Sequence, residues 1–399
     1  MPTTSALAAD LRTPTRWPAL DGVRGLAVIS VVLYHAYRMV VLGHGGPGSR
    51  DLDPLTWPLS TARFALDAFF VLSGFLIVAS WTSLRRRHDR LAPAVWAYAK
   101  KRAARILPAY WVSLLILVPL VAPHLLRSPG KLGLLATVQQ YVVPSLPSEV
   151  NVVYWSLTTE VHFYVLAPLC AVLLARFGGW KVVLACTAVT VWWRMTLPFD
   201  LAASFTFGRM EQFALGAAAG DLIRAHDRGD VVRLVQWLNR RGVGIALVGL
   251  LIALGTFQGA VLDGIGHGIF SKLLHPAVAV VMAALFVRLL TADRSGDGRA
   301  SFLEHPGLRL AGLVSYGVYL FHYPVLVHGL AAARIAAGDG SAPVRVLAVV
   351  AGLTLISFLL GTASYVFVER RFLQNGKAPE VPPVIDLRDP ERRPELAST

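Results

Sequence analysis

Ten long stretches of this chain run almost without charge, at roughly 25–43, 62–82, 106–126, 155–175, 180–198, 203–222, 242–258, 268–287, 310–331 and 346–368. A helix rises about 1.5 Å per residue, so about 20 apolar residues cross the ~30 Å hydrocarbon core of a bilayer. Several of the stretches exceed the ~18 residues at which spanning becomes a better account than burial in a soluble core. Hydrophobic residues make up 55% of the 399 residues and charged ones 16%, whereas soluble domains carry about 25% charged residues. A soluble multidomain protein is excluded on that ground. The expected fold is an all-α polytopic membrane protein with about ten transmembrane helices.

A formal charge of +14 would suit a nucleic-acid binder, but its distribution argues otherwise. Of the 38 Lys and Arg residues, 27 fall in the terminal segments and alternate loops on one side, and five fall in the opposite loops. The other six, Arg38, Arg63, Lys181, Arg194, Arg209 and Lys272, lie within the stretches, the first four near their ends. The positive-inside rule then places both termini in the cytoplasm, and the charge is topological. No nucleic-acid partner is required.

No loop is long enough for a second folded domain. The chain divides into a cytoplasmic N-terminal segment over 1–19, a membrane domain over 20–373 and a tail over 374–399, where APEVPPVIDLRDPERRPELAST has too little to bury and is expected to be disordered. The segment 127–154 is apolar and punctuated by proline, and is expected to lie along the outer membrane interface. No apolar signal core with a small-residue cleavage site precedes the first span. Cys170 and Cys186 both sit in apolar segments, so neither a disulfide framework nor a metal site is indicated. Arg outnumbers Lys 32 to 6, and Ala, Val and Gly abound, which suggests a high-GC bacterial genome.

Within the spans some residues are out of place. LDGVRGLAVISVVLYH, residues 20–35, puts Arg24 at the cytoplasmic mouth of the first helix and His35 eleven residues further on. That step is about 16 Å of rise and falls within about 20° of three full turns, so both side chains share one stripe. One substrate could touch both. Arg102 and Arg105, spaced i, i+3 before the third apolar stretch, share a helix face and could clamp a phosphate or pyrophosphate. Arg85, Arg86 and Arg87 in the same basic loop are accounted for as topology charges. Glu160 in the fourth span, Arg209 and Glu211 in the sixth and His322 in the ninth complete the set, with His35, Glu211 and His322 at similar depth and Glu160 nearer the outer face. Ionisable groups at such depth must face a polar interior and are functional by default. The competing structural reading is an ion-pair network joining Arg209 to Glu211 or Glu160.

Together these segments resemble the acyltransferase 3 family of bacterial integral-membrane O-acyltransferases. LDGVRGLAVISVVLYH is similar to the family's Arg-x10-His motif, FFVLSGFLI to its second-helix signature and KKRAARILPAYW to its Arg-x-x-Arg motif. YWSLTTEVHFYVLAP, SYGVYLFHYPVL and YVFVERRF are similar to three later motifs, in the expected order, so the resemblance runs from residue 20 to about 373. Each motif is weak alone, and six in order are specific. Arg371 stands where many members have proline, and no extracytoplasmic esterase-like domain follows the membrane part.

The resemblance implies an acyl-CoA donor, acetyl-CoA above all, on the cytoplasmic side and a hydroxyl acceptor on a sugar or glycosylated metabolite. It implies no permanently bound cofactor. His35 would be a general base, with Glu160 and His322 assisting, and Arg24, Arg102 and Arg105 would hold the coenzyme A phosphates. A bacterial cytoplasmic membrane is the expected location, and an enzyme acting without a partner domain in the same chain is the expected form. A macrolide-type tailoring enzyme is one version of this reading. A secondary transporter using His35, Glu211 and Glu160 as a proton relay is the principal alternative outside the family, although no repeated halves are evident. A non-catalytic scaffold would need no polar stripe.

Overall fold

The computed structural model describes residues 18–41, 61–143, 145–197, 205–258, 269–293, 302–337 and 343–373. Residues 1–17 and the tail from 374 lie outside them, and with them the expectations placed on those segments. Every regular element among the described residues is helical. The helices are α1 (Pro18–Val41), α2 (Ala65–Arg87), α3 (Leu91–Val121), α4 (Pro129–Ala136), α5 (Leu146–Val150), α6 (Tyr154–Phe177), α7 (Gly179–Thr196) and α8 (Met210–Asp227). They continue with α9 (Val232–Leu238), α10 (Arg241–Phe257), α11 (Ile269–Asp293), α12 (Pro306–Leu313), α13 (Ser315–Ala337), α14 (Pro343–Ser364) and α15 (Arg370–Leu373).

Among the described residues, six helical segments are long and apolar enough to cross a membrane on their own: Pro18–Ala36, Thr61–Arg87, Leu91–Val121, Tyr154–Phe177, Lys272–Thr291 and Ala348–Leu373. Two bent pairs, α9 with α10 at 62° and α12 with α13 at 73°, raise the number to eight. The expected ten is therefore not reached by length and apolarity. The shortfall lies in α7, which carries Lys181 and Arg194, and in α8, which carries Glu211, Asp221, Arg224 and Asp227. Part of that polarity is turned inward, since Arg194 and Glu211 are both fully buried and pair with each other at 3.1 Å.

Helix approach is set by glycine. A Cβ on Gly216 of α8 would overlap the carbonyl oxygen of Val71, and one on Gly74 of α2 would overlap that of Phe213. The two backbones touch there because neither side has a side chain to hold them apart, as at small-residue helix crossings in membranes. Beside the crossing, the rings of Phe163 and Phe213 stack at 3.5 Å and Phe70 packs on Phe213 at 5.0 Å. A Gly216→Val substitution must separate α2 from α8, and overpacking of this kind costs about 1–3 kcal/mol or more. A clear drop in the thermal midpoint of detergent-solubilised protein is expected, whereas Gly249→Val, where a Cβ meets open space, should leave it within a degree or two.

The described residues of 122–153, in the connection expected along the outer interface, form short helical turns tied to the ends of the long helices. Tyr110 donates to the carbonyl of Leu135 at 2.8 Å, Gln140 to that of Tyr154 at 2.8 Å and Asn151 to that of Leu320 at 2.8 Å. Leu125, Leu135 and Leu146 are fully buried, which explains why so apolar a stretch folds inward. At its exposed edge His124 and Lys131 each contact Glu149 at 2.9 Å, and those bonds hold its carboxyl below the ordinary range.

Candidate active site

Arg24 of α1, Arg102 and Arg105 of α3 and Glu160 of α6 line one cavity of about 120 Å³, completed by Tyr164, Ser315, Tyr316 and Tyr319 and by an apolar wall from α2 that includes Phe70 and Ile77. The i, i+3 spacing on α3 turns both arginines to the same side, as expected. Arg102 is held in place, donating to Ser80 Oγ at 3.0 Å and lying over the rings of Tyr98 and Tyr164 at 5.9 and 5.7 Å. Arg24 has one distant partner, Asp21, at 3.4 Å. Arg105 donates no hydrogen bond to any described residue. Three guanidiniums thus converge with much of their donor capacity unused, and a guanidinium is shaped to grip phosphate oxygens bidentately.

His35 does not line this cavity. Its Nδ1 lies 3.0 Å from the carbonyl oxygen of Val31 and 3.1 Å from Nε2 of His322, which is fully buried. His322 Nδ1 in turn lies 2.8 Å from the carbonyl oxygen of Tyr319 and 3.2 Å from that of Val318. The expected common depth of His35 and His322 therefore becomes direct contact. Tyr34 and Tyr323 flank the His35 ring with centroids 5.6 and 5.3 Å away, both edge-on.

Tyr319 belongs to both places. It lines the arginine cavity, and its ring centroid stands 5.6 Å from that of His322. Its hydroxyl donates to the carbonyl of Val153 at 3.0 Å and lies 2.6 Å from Ser156 Oγ. Of the stripe expected to carry Arg24 and His35, Arg24 lines the cavity and His35 does not, and Tyr319 links the arginine cavity to the histidine pair.

Other expected residues go elsewhere. Glu160 stands among the arginines, where it accepts from the Tyr164 hydroxyl at 2.7 Å, and is not beside an imidazole. Nor does Arg209 pair with Glu211 or Glu160: it contacts Asp67 at 3.3 Å and lies over the rings of Phe70 and Trp155. Asp67, 1% exposed, also takes His275 Nδ1 at 3.0 Å and the side-chain amide of Gln212. Glu211 pairs with Arg194, so the polar set is two neighbouring buried clusters whose partners sequence separation concealed. Asp67, His275 and Arg194 were findable as single ionisable residues in apolar runs. Glu369, 2% exposed on a π-helical turn over Tyr365–Glu369, accepts from Ser364 at 3.2 Å and is near enough to Arg105 to interact electrostatically.

Breaking a buried pair costs about 3–5 kcal/mol, because one charge is left without compensation. Glu211→Ala should therefore reduce the yield of monodisperse protein and lower its thermal midpoint. A folded variant of ordinary stability would show that the pair does not hold the bundle together.

Against this geometry the comparisons with known proteins can be weighed. The Acyl_transf_3 family profile, described as an acyltransferase domain, matches residues 17–362. The protein named O-acetyltransferase OatA from Staphylococcus aureus strains NCTC 8325 / PS 47, COL and MRSA252 is similar to the chain at 24% identity over 91% of its length. The chain spans 58% of the length of those relatives. No solved structure matches the chain. The profile covers α1 through most of α14 and so takes in the whole arginine cavity and both histidines: this chain belongs to the acyltransferase 3 family.

Proposed function

We propose that this protein is an O-acyltransferase of the bacterial cytoplasmic membrane that moves an acyl group, acetyl above all, from acyl-CoA to a hydroxyl of a carbohydrate or glycosylated metabolite. The observation that carries the reading is the convergence of Arg24, Arg102 and Arg105 on one cavity next to the His35–His322 pair. The name O-acetyltransferase borne by the relatives favours an acetyl group and an oxygen acceptor. In this reading ten helices cross the bilayer, both termini are cytoplasmic, residues 20–373 form the membrane domain, and the flanking segments 1–19 and 374–399 lie in the cytoplasm.

The chemistry divides between the arginine cavity and the histidine pair. The guanidiniums bind the phosphates of coenzyme A by charge-assisted hydrogen bonds, each worth about 1.5–3 kcal/mol. The pantetheine arm then extends past Tyr319 and carries the thioester over the ~16 Å that separates Arg24 from His35 along α1. His35 accepts the proton of the acceptor hydroxyl as its oxygen attacks the thioester carbonyl. The carbon–sulfur bond breaks, and the departing thiolate recovers a proton as free coenzyme A. Positioned proton transfer contributes roughly 10²–10⁴ in rate. Glu160 and Tyr164 lie nearer the arginines and serve to position the donor.

Purified protein given radiolabelled acetyl-CoA should release free coenzyme A slowly by hydrolysis, and faster with a sugar acceptor that becomes labelled. Proteoliposomes that take up protons in response to acceptor, with no thioester cleavage under any condition, would establish a transporter instead.

A further inference from the structure

The contacts of the two histidines determine where their protons sit. A carbonyl oxygen only accepts hydrogen bonds, so a ring nitrogen facing one must carry hydrogen. His322 Nδ1 faces the carbonyls of Tyr319 and Val318, at 2.8 and 3.2 Å, and is therefore N–H. In the neutral ring its Nε2 is then a bare acceptor. His35 Nδ1 faces the carbonyl of Val31 at 3.0 Å and that acceptor at 3.1 Å, so it too is N–H, shared between the two. The basic lone pair of neutral His35 is left on Nε2.

We propose that His322 is a positioning residue that locks His35 in its Nδ1–H tautomer and so makes Nε2 the nitrogen that accepts the proton of the acceptor hydroxyl. This rests on the acyltransferase reading above and specifies how its base is prepared. A ring flip of His35 would put carbon where Nδ1 now donates and lose both bonds, each worth about 1 kcal/mol net. Tyr34 and Tyr323, edge-on to the ring, further restrict it. When Nε2 takes the proton, His35 becomes a cation whose Nδ1–H still points at His322 Nε2. That bond becomes charge-assisted and stronger as the reaction proceeds. His322 gains no proton. It exchanges none with the substrate and acts through His35 alone.

The test uses full-length protein in detergent or nanodiscs and compares three substitutions. In His322→Gln the side-chain oxygen can accept from His35 Nδ1–H, so this variant should keep a tenth or more of the parent kcat. His322→Leu offers no acceptor, and His322→Asn is too short to reach His35 although it can still bond the Tyr319 carbonyl. Both should lose kcat by roughly 10²–10⁴, the range seen when a catalytic imidazole loses its base function or its tautomer. The KM for acetyl-CoA should change less than threefold in all three. Nitrogen-15 NMR of histidine-labelled protein should report His35 with Nδ1 protonated and Nε2 bare in the parent and in His322→Gln, and a measurable rise of the Nε2–H tautomer in His322→Leu, where the Val31 carbonyl is left to hold Nδ1–H. A His322→Leu protein with parental kcat, or Gln and Leu variants equally impaired with the His35 tautomer unchanged, would overturn the proposal. Failure of the underlying reading looks different: there His35→Ala itself retains the parental rate.

Discussion

Replacing His35 with alanine is expected to lower acyl transfer by roughly 10²–10⁴, the contribution of a positioned general base, while the Kd for acyl-CoA changes less than threefold. The separation follows from geometry. His35 belongs to the histidine pair, bonded to Val31 and His322 and outside the cavity lined by the arginines. Removing its ring therefore withdraws the proposed base without touching the arginines proposed to grip phosphate. Arg24→Ala, eleven residues earlier on the same helix, should show the reverse, with acyl-CoA binding weakened and the rate at saturating donor largely kept. The pair of measurements is equilibrium binding of acyl-CoA and initial rates of labelled product formation. A folded His35→Ala protein transferring at the parental rate would remove His35 from the chemistry.

Arg105→Ala should weaken acyl-CoA binding by about 10- to 100-fold. A hydrogen bond to a charged group is worth about 1.5–3 kcal/mol, and each 1.4 kcal/mol is tenfold in affinity. Arg105 is the cleanest of the three to test, because it donates no hydrogen bond to any described residue, and its loss removes from the buried Glu369 only an electrostatic interaction. Arg102→Ala would also release Ser80 and two tyrosine rings. Arg86→Ala, at an exposed position at the end of α2, should change binding by less than twofold, and Arg105→Lys should recover only part of the loss because an ammonium cannot chelate two oxygens in one plane. Equal and small effects from Arg105→Ala and Arg86→Ala would return Arg105 to the role of a topology charge.

What the sequence made legible were features that depend on local periodicity. The long helices follow from apolar runs, and the shared side of Arg102 and Arg105 follows from a three-residue step. The pairing of charges was not legible in the same way. Arg209 had nearby carboxylates at Glu211 and Glu160, yet it pairs with Asp67, 142 residues away, and His275 reaches the same carboxylate across 208 residues. Such choices are made by which helices touch, and the contact of α2 with α8 depends on Gly74 and Gly216, whose meaning appears only in the packed structure.

Length and apolarity count fewer spans than ten for a related reason. Arg194 and Glu211 depress the apolarity of α7 and α8 although they are buried against each other. The link between the arginine cavity and the histidine pair was equally hidden, since Tyr319, which lines the one and packs near His322, comes from α13, far along the chain. The six motifs contain nearly every residue that lines the cavity, and Glu160 proved to accept from Tyr164 there and not from an imidazole.

The central claim is that coenzyme A binds with its phosphates on the arginine cluster and its sulfur toward the histidine pair. A cryo-EM structure of the full-length protein in nanodiscs with a non-hydrolysable acyl-CoA analogue tests this directly. The account predicts phosphate density within hydrogen-bonding distance of Arg24, Arg102 and Arg105, and the acyl carbon on the Tyr319 side, directed at Nε2 of His35. Analogue density on any other surface, or bound in the cavity with its phosphates away from all three arginines, would contradict it.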